Sequence, residues 1–165
     1  GLGALLGYDI DMLVTPDPLF QKGLEYLPVF EYEHVLVVPE SHPVAGQSWV
    51  QPQDLSDDVL ITYPVEASRL DIFSQFLTPA GASVKRHRTI ETTEIMLQMV
   101  SAGRGVSALP KWLVEQHQKD LPIVPVRLGK KGIFKNIHLG FRAGEARPEY
   151  QNTFIEIAKK TDHLI

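Results

Sequence analysis

Tyr32-Glu33-His34-Val35-Leu36-Val37-Val38 ends in four consecutive apolar residues and is broken at once by Pro39-Glu40-Ser41-His42-Pro43. A strand with one wet face alternates apolar and polar residues, whereas an unbroken apolar run is what a strand buried on both faces requires. The run therefore predicts a sheet with helices packed against both sides. Upstream, Tyr8 to Thr15 sets Ile10, Met12 and Val14 between Asp9, Asp11 and Leu13 and runs into Pro16-Asp17-Pro18. That is a period-2 strand ending in a loop. Downstream, Gln47 to Asp58 is polar and turn-rich, with Pro52 opening a short helical turn. Val59-Leu60-Ile61-Thr62-Tyr63 is then a third strand, stopped by Pro64.

The alternation continues along the chain. Ser68 reads as an N-cap, with Asp71 three residues on as a variant of the capping box. Leu70, Phe73, Phe76 and Leu77 share one helical face, and Pro79-Ala80-Gly81 ends that helix. Val84 to Ile90 is a fourth strand. Thr92 or Thr93 caps a helix with an apolar stripe of Ile95, Met96, Met99 and Val100, closed by Gly103-Arg104-Gly105. Val106 to Leu109 is a short strand, and Pro110 begins a helix reaching about Gln116. Ile123 to Val126 and Ile137 to Arg142 are two more strands. A last helix opens at Pro148, with Tyr150, Phe154, Ile157 and Ala158 on its buried face. Strands alternating with helices predict an α/β fold with a mostly parallel sheet. Such sheets bind ligands beyond the carboxyl ends of their strands. The loops there are Thr15–Asp17, Tyr63–Arg69, Glu91–Glu94 and Gly103–Ser107.

Composition excludes several functions. The chain has 165 residues, 44% of them hydrophobic and 22% charged, which is enough apolar surface for a core. No apolar run approaches the roughly 20 residues that cross a bilayer, and the start does not read as a signal peptide. There is no cysteine, which excludes disulfide scaffolds, zinc ribbons and thiol nucleophiles and suits a cytoplasmic location. A formal net charge of -4 makes these residues a poor grip for nucleic acid, since phosphate binding needs clustered positive charge. The chain opens on Gly1-Leu2-Gly3 without an initiator methionine, so a fragment of a longer protein is expected.

The chemistry-bearing residues support no catalytic set. Gly1-Leu2-Gly3-Ala4-Leu5-Leu6-Gly7 has the glycines of a dinucleotide fingerprint but no strand ahead of them. Ser107 lies in Gly105-Val106-Ser107-Ala108-Leu109, without the second glycine of a nucleophile elbow. The six histidines (His34, His42, His87, His117, His138 and His163) show no paired helical spacing for a metal. Lys85-Arg86-His87-Arg88, the densest basic stretch, reads as a solvated sheet edge. No enzyme activity, metal or cofactor is expected. The best-defined candidate is Tyr63-Pro64-Val65-Glu66-Ala67-Ser68-Arg69. A helix start at Ser68 would attract a carboxylate, Arg69 would fork onto it, and Glu66 would take an ammonium, which together suit a small zwitterion. An ordinary capped helix with Arg69 in solvent explains the same residues equally well.

Several stretches then resemble the effector-binding domain of LysR-type transcriptional regulators. Gly7-Tyr8-Asp9-Ile10-Asp11-Met12-Leu13-Val14 is similar to that family's Gly-x-Leu-Asp-Leu strand, and His42-Pro43-Val44-Ala45 to its His-Pro-Leu-Ala turn, followed by Asp54-Leu55 and Leu60-Ile61. Gly103-Arg104-Gly105-Val106-Ser107-Ala108-Leu109-Pro110 resembles its glycine loop, strand and proline. A narrower resemblance, to the family's regulators of methionine biosynthesis, rests on Ile61-Thr62-Tyr63-Pro64-Val65, Ser68-Arg69-Leu70-Asp71, Phe76-Leu77, Pro79-Ala80-Gly81, Gln98-Met99-Val100 and Leu109-Pro110-Lys111-Trp112.

The resemblance implies the fold of the type II periplasmic binding proteins, with two Rossmann-like lobes joined by two crossing strands and the effector between them. Residues 1–31 and 139–165 would form an incomplete lobe I, and residues 32–138 lobe II. Homocysteine is the implied effector. Thr15 and the segment Tyr63, Glu66, Ala67, Ser68 and Arg69 are the implied contacts, with Thr92 and Thr93 serving either the same site or only as caps. Family members also carry a winged helix-turn-helix domain and a linker helix, which this sequence lacks. DNA binding would therefore belong to the whole protein, expected to be a homodimer or homotetramer. An extracellular solute-binding protein, or an enzyme on the same architecture, is the alternative.

Overall fold

The computed structural model describes residues 12–15, 23–142 and 156–157. The chain divides into two compact units, Gly1–Tyr32 with Phe134–Ile165, and Glu33–Ile133.

The second unit is organised by the apolar run. Strand β2 (Leu24–Pro39) enters it and pairs antiparallel on one side with β6 (Val106–Pro110), from His34 opposite Pro110 to Val37 opposite Ser107. On its other side it pairs antiparallel with β7 (Ile123–Leu128), from Val35 opposite Arg127 to Pro39 opposite Ile123. Strand β4 (Val59–Thr62) lies parallel to β6 and to the edge strand β5 (Arg86–Thr89). The short β3 (Trp49–Val50) lies parallel to β7. The sheet is therefore mixed, where alternation of strands and helices predicted a mostly parallel one. The reason is local to β2, whose two neighbours both run against it.

Burial on both faces holds as expected, for Val35, Leu36, Val37 and Val38 are at most 2% exposed. Leu36 and Val38 point into a core shared with Leu60, Leu55, Ile72 and Leu77. Val35 and Val37 point the other way, onto Ile61, Met96, Leu97, Val100 and Val114. The last four come from helices α1 (Thr93–Ser101) and α2 (Lys111–His117). Helix α1 buries Met96, Leu97 and Val100 and leaves Ile95 54% exposed, so Leu97 takes the place in the stripe that the sequence assigned to Ile95. The 3-10 turn Pro52–Leu55 forms where Pro52 placed it and buries Leu55.

The first unit has a smaller core of its own. Strand β1 (Leu13–Thr15) runs antiparallel to β8 (Ile133–Arg142), from Leu13 opposite Gly140 to Thr15 opposite His138. Val29, Phe30, Leu139 and Phe141 form its core. Residues 24–31 of β2 go beyond the strand read from Tyr32, because Pro28 argues against a strand interior. Ile157, expected on a buried helical face, is helical but 56% exposed. The remainder of that helix, Gly1 to Asp11 and Pro16-Asp17-Pro18 lie outside the described residues.

Candidate functional site

Strand β4 ends at Thr62, and Tyr63 leaves the sheet with its backbone held in place. The buried Thr62 donates its Oγ1 hydrogen to the Tyr63 carbonyl at 3.0 Å, and the Val65 N–H donates to the same oxygen at 2.8 Å. Thr62 Oγ1 is also 2.6 Å from His87 Nε2 on β5. With the threonine hydrogen already used, His87 supplies the one between them. The ring of His87 meets Phe73 edge-on, with centroids 5.0 Å apart. The far end of the Tyr63 side chain hydrogen-bonds through its hydroxyl to Thr93 Oγ1 at the start of α1. Thr92 is the N-cap of that helix, accepting from the Ile95 N–H at 3.4 Å. Two of the loops singled out from the sequence, Tyr63–Arg69 and Glu91–Glu94, thus share a side-chain contact.

The segment after Tyr63 differs from its sequence reading. Ser68 does not cap a helix: it lies inside a single 3-10 turn, Ala67–Arg69, whose preceding residue is Glu66. The Arg69 N–H donates to the Glu66 carbonyl at 2.9 Å, and the Leu70 N–H to that of Ala67 at 3.0 Å. Leu70 then turns extended (φ -92°, ψ 124°), and the next helical segment, Ile72–Leu77, winds with the wider π pattern. Asp71 precedes it without a side-chain cap and instead accepts from Gln75 Nε2 at 2.8 Å. The cause is Leu70, whose side chain packs against the core and breaks the helix before it can run from Ser68 to Leu77.

A three-residue turn carries little of a helix dipole. What the segment offers an anion is therefore Arg69 and the leading N–H groups of Ala67 and Ser68, which the turn's own bonds leave unused. Glu66, Ala67, Ser68 and Arg69 are all exposed, and among the described residues neither Glu66 nor Arg69 forms an ion pair. Thr15 ends β1 in the other unit, half-buried and opposite His138.

The remaining candidates serve the fold. Ser107 is 1% exposed and donates its Oγ hydrogen to the Ile61 carbonyl at 2.6 Å, with Met96 Sδ 2.9 Å away. His42 Nδ1 accepts from the Val44 N–H at 3.1 Å, so Nε2 carries the hydrogen and donates it to Asp58 at 2.8 Å. That clamp holds the turn at His42-Pro43-Val44-Ala45. Arg86, His87 and Arg88 are exposed on the edge strand. Among the described residues no group of three His, Cys, Asp or Glu could hold a metal ion, and no helix is long and apolar enough to cross a membrane.

Residues 2–162 match the family model of the LysR substrate binding domain. The chain is 37% identical over 163 residues to the transcriptional regulator MetR of Escherichia coli K12, covering 98% of this chain and 51% of that protein. It is 36% identical to MetR of Salmonella typhimurium over the same length. It thus spans about half the length of the curated relatives it matches, which are named transcriptional regulators and not enzymes. Among solved structures, the regulatory domain of MetR from N. meningitidis superposes with a TM-score of 0.83 at 28% identity, covering 96% of this chain and 73% of that one. The regulatory domain of Synechocystis CcmR superposes with a TM-score of 0.82 at 18% identity, over 98% and 77% of the two chains. At that identity the likeness is one of fold.

Proposed function

The chain belongs to the LysR substrate-binding domain family, and on that basis we propose that it is the effector-sensing part of a MetR-like regulator of methionine biosynthesis genes, with homocysteine as effector. Its α/β fold is of the type II periplasmic-binding-protein kind. The observation that carries the proposal is the 37% identity to a MetR over 98% of the chain. The chemistry of residues 63–69 agrees with it. Homocysteine is a zwitterion, and one exposed turn here presents a carboxylate, Glu66, three residues from a guanidinium, Arg69.

In this reading Arg69, the Ser68 hydroxyl and the N–H groups of Ala67 and Ser68 take the effector carboxylate, while Glu66 takes its ammonium. Tyr63, held by Thr93, forms the wall beside them, with Thr92 at the start of α1. Sensing works by linkage: the effector binds one arrangement of the protein more tightly and shifts the population toward it, with an ordinary coupling of roughly 1–3 kcal/mol. DNA is bound by a part of the cytoplasmic, oligomeric protein outside these 165 residues, and the effector is released unchanged.

Arg69→Ala and Ser68→Ala in the full-length protein test the site. Loss of the guanidinium removes a charge-assisted contact and is expected to weaken homocysteine binding about tenfold by calorimetry, with a smaller loss for the hydroxyl. Unchanged affinity in both variants would take this turn out of the effector site.

A further inference from the structure

The second unit also holds a cavity of about 310 Å³ lined by Glu33, Val35, Ser48, Lys111, Pro125 and Arg127. None of these residues belongs to the Tyr63–Arg69 segment or to the start of α1. Glu33 is the fixed point, its side chain only 9% exposed. Such a carboxylate needs a partner, and Arg127 supplies one through a two-pronged contact, Nε to Oε2 at 3.1 Å and Nη2 to Oε1 at 3.2 Å. That pair is neutral. Lys111 is different: it is exposed, and among the described residues no carboxylate pairs with it, Glu115 one turn along included. As the first residue of α2 its ammonium also gains nothing from the helix dipole.

The cavity wall therefore carries one uncompensated positive charge, beside the Ser48 hydroxyl and the half-buried Pro125 ring, with Val35, only 2% exposed, behind it. A dianion would bring its second charge against Glu33. A monoanion with a short apolar body satisfies both parts of the wall. The volume lies at the lower end of the roughly 300–1,000 Å³ typical of small-molecule sites. We propose that this cavity is a second ligand site, separate from the effector turn, that takes a small monocarboxylate. The carboxylate sits on Lys111 and Ser48, and the apolar body lies on Pro125.

Sodium butyrate titrated calorimetrically into the full-length protein, at constant ionic strength, tests this. Saturable binding is expected, while n-butylamine, with the same body and the opposite charge, gives none. Lys111→Gln is expected to weaken butyrate about tenfold, and Lys111→Arg to restore most of it by restoring the charge. Lys111 is exposed, so both variants should melt with the wild type, which a thermal scan checks. Saturating homocysteine should leave the butyrate isotherm unchanged. Absence of saturable butyrate binding, equal binding of n-butylamine, equal affinity in Lys111→Gln, or displacement by homocysteine would each overturn the proposal. The first three would leave the effector assignment standing.

Discussion

Leu60→Ala is expected to destabilise the second unit by about 2–5 kcal/mol, the range for deleting a buried leucine side chain from a packed core. Leu60 is fully buried and lies on β4, between β5 and β6, where its side chain meets those of the elements covering that face of the sheet. The loss has two parts, transfer of the removed methylene and methyl groups to water and the void left behind. The collapse that would fill such a void is hindered here, because the strands on both sides of β4 fix its backbone. For a chain of this size each kcal/mol corresponds to about 2–4 °C in melting temperature. Trp49 and Trp112 are the only tryptophans of the 165-residue chain and both lie in the second unit, so their fluorescence during urea unfolding follows that unit alone. Ile95→Ala is the control: its side chain is 54% exposed on α1 and should change stability by no more than about 0.5 kcal/mol. Equal losses for the two variants would mean that the sheet core has been misplaced.

Gly105→Ala adds only one methyl group and is expected to cost about 1–3 kcal/mol by overpacking. A Cβ at Gly105 would stand 2.7 Å from the Val59 carbonyl oxygen and 2.9 Å from Ile61 Cδ1. The isoleucine end can rotate away, but the carbonyl belongs to the backbone where β4 begins, so β6 would have to shift from β4. Two residues earlier the physics is different. Gly103 has φ +75° and nothing within 4 Å of a Cβ, so Gly103→Ala pays only for a left-handed backbone, about 1 kcal/mol. Urea unfolding should therefore rank Gly105→Ala as the more damaging of the two. The opposite order would contradict the close approach of β6 to β4.

Legibility from sequence followed the range of the interaction. Val35 to Val38 could be read because burial on both faces leaves a mark in consecutive residues. Thr92 as a cap was equally local. Ser68 shows where local pattern fails: Ser-x-x-Asp followed by spaced apolar residues satisfies every helix-start rule, yet the core draws in Leu70 and the backbone extends there. The first half of β2 was hidden by Pro28, which argues against a strand wherever one looks only at neighbours. In the candidate site, both Tyr63 and Thr93 carried their own signals, as a strand end and as a helix start. Their contact joins residues 30 apart, and only the fold could show it. Glu33 and Arg127 are 94 residues apart and carry no motif, so the cavity they line left no trace in the sequence.

We propose that this chain senses homocysteine. A thermal-shift panel on the full-length protein with homocysteine, methionine, cysteine and O-acetylserine at equal concentration tests it most directly. A ligand that binds only the folded protein stabilises it by about 2.7 kcal/mol at a hundredfold excess over its Kd. Homocysteine is therefore expected to raise the melting temperature most, with the other three well below it. Stabilisation by one of those three and none by homocysteine would contradict the account.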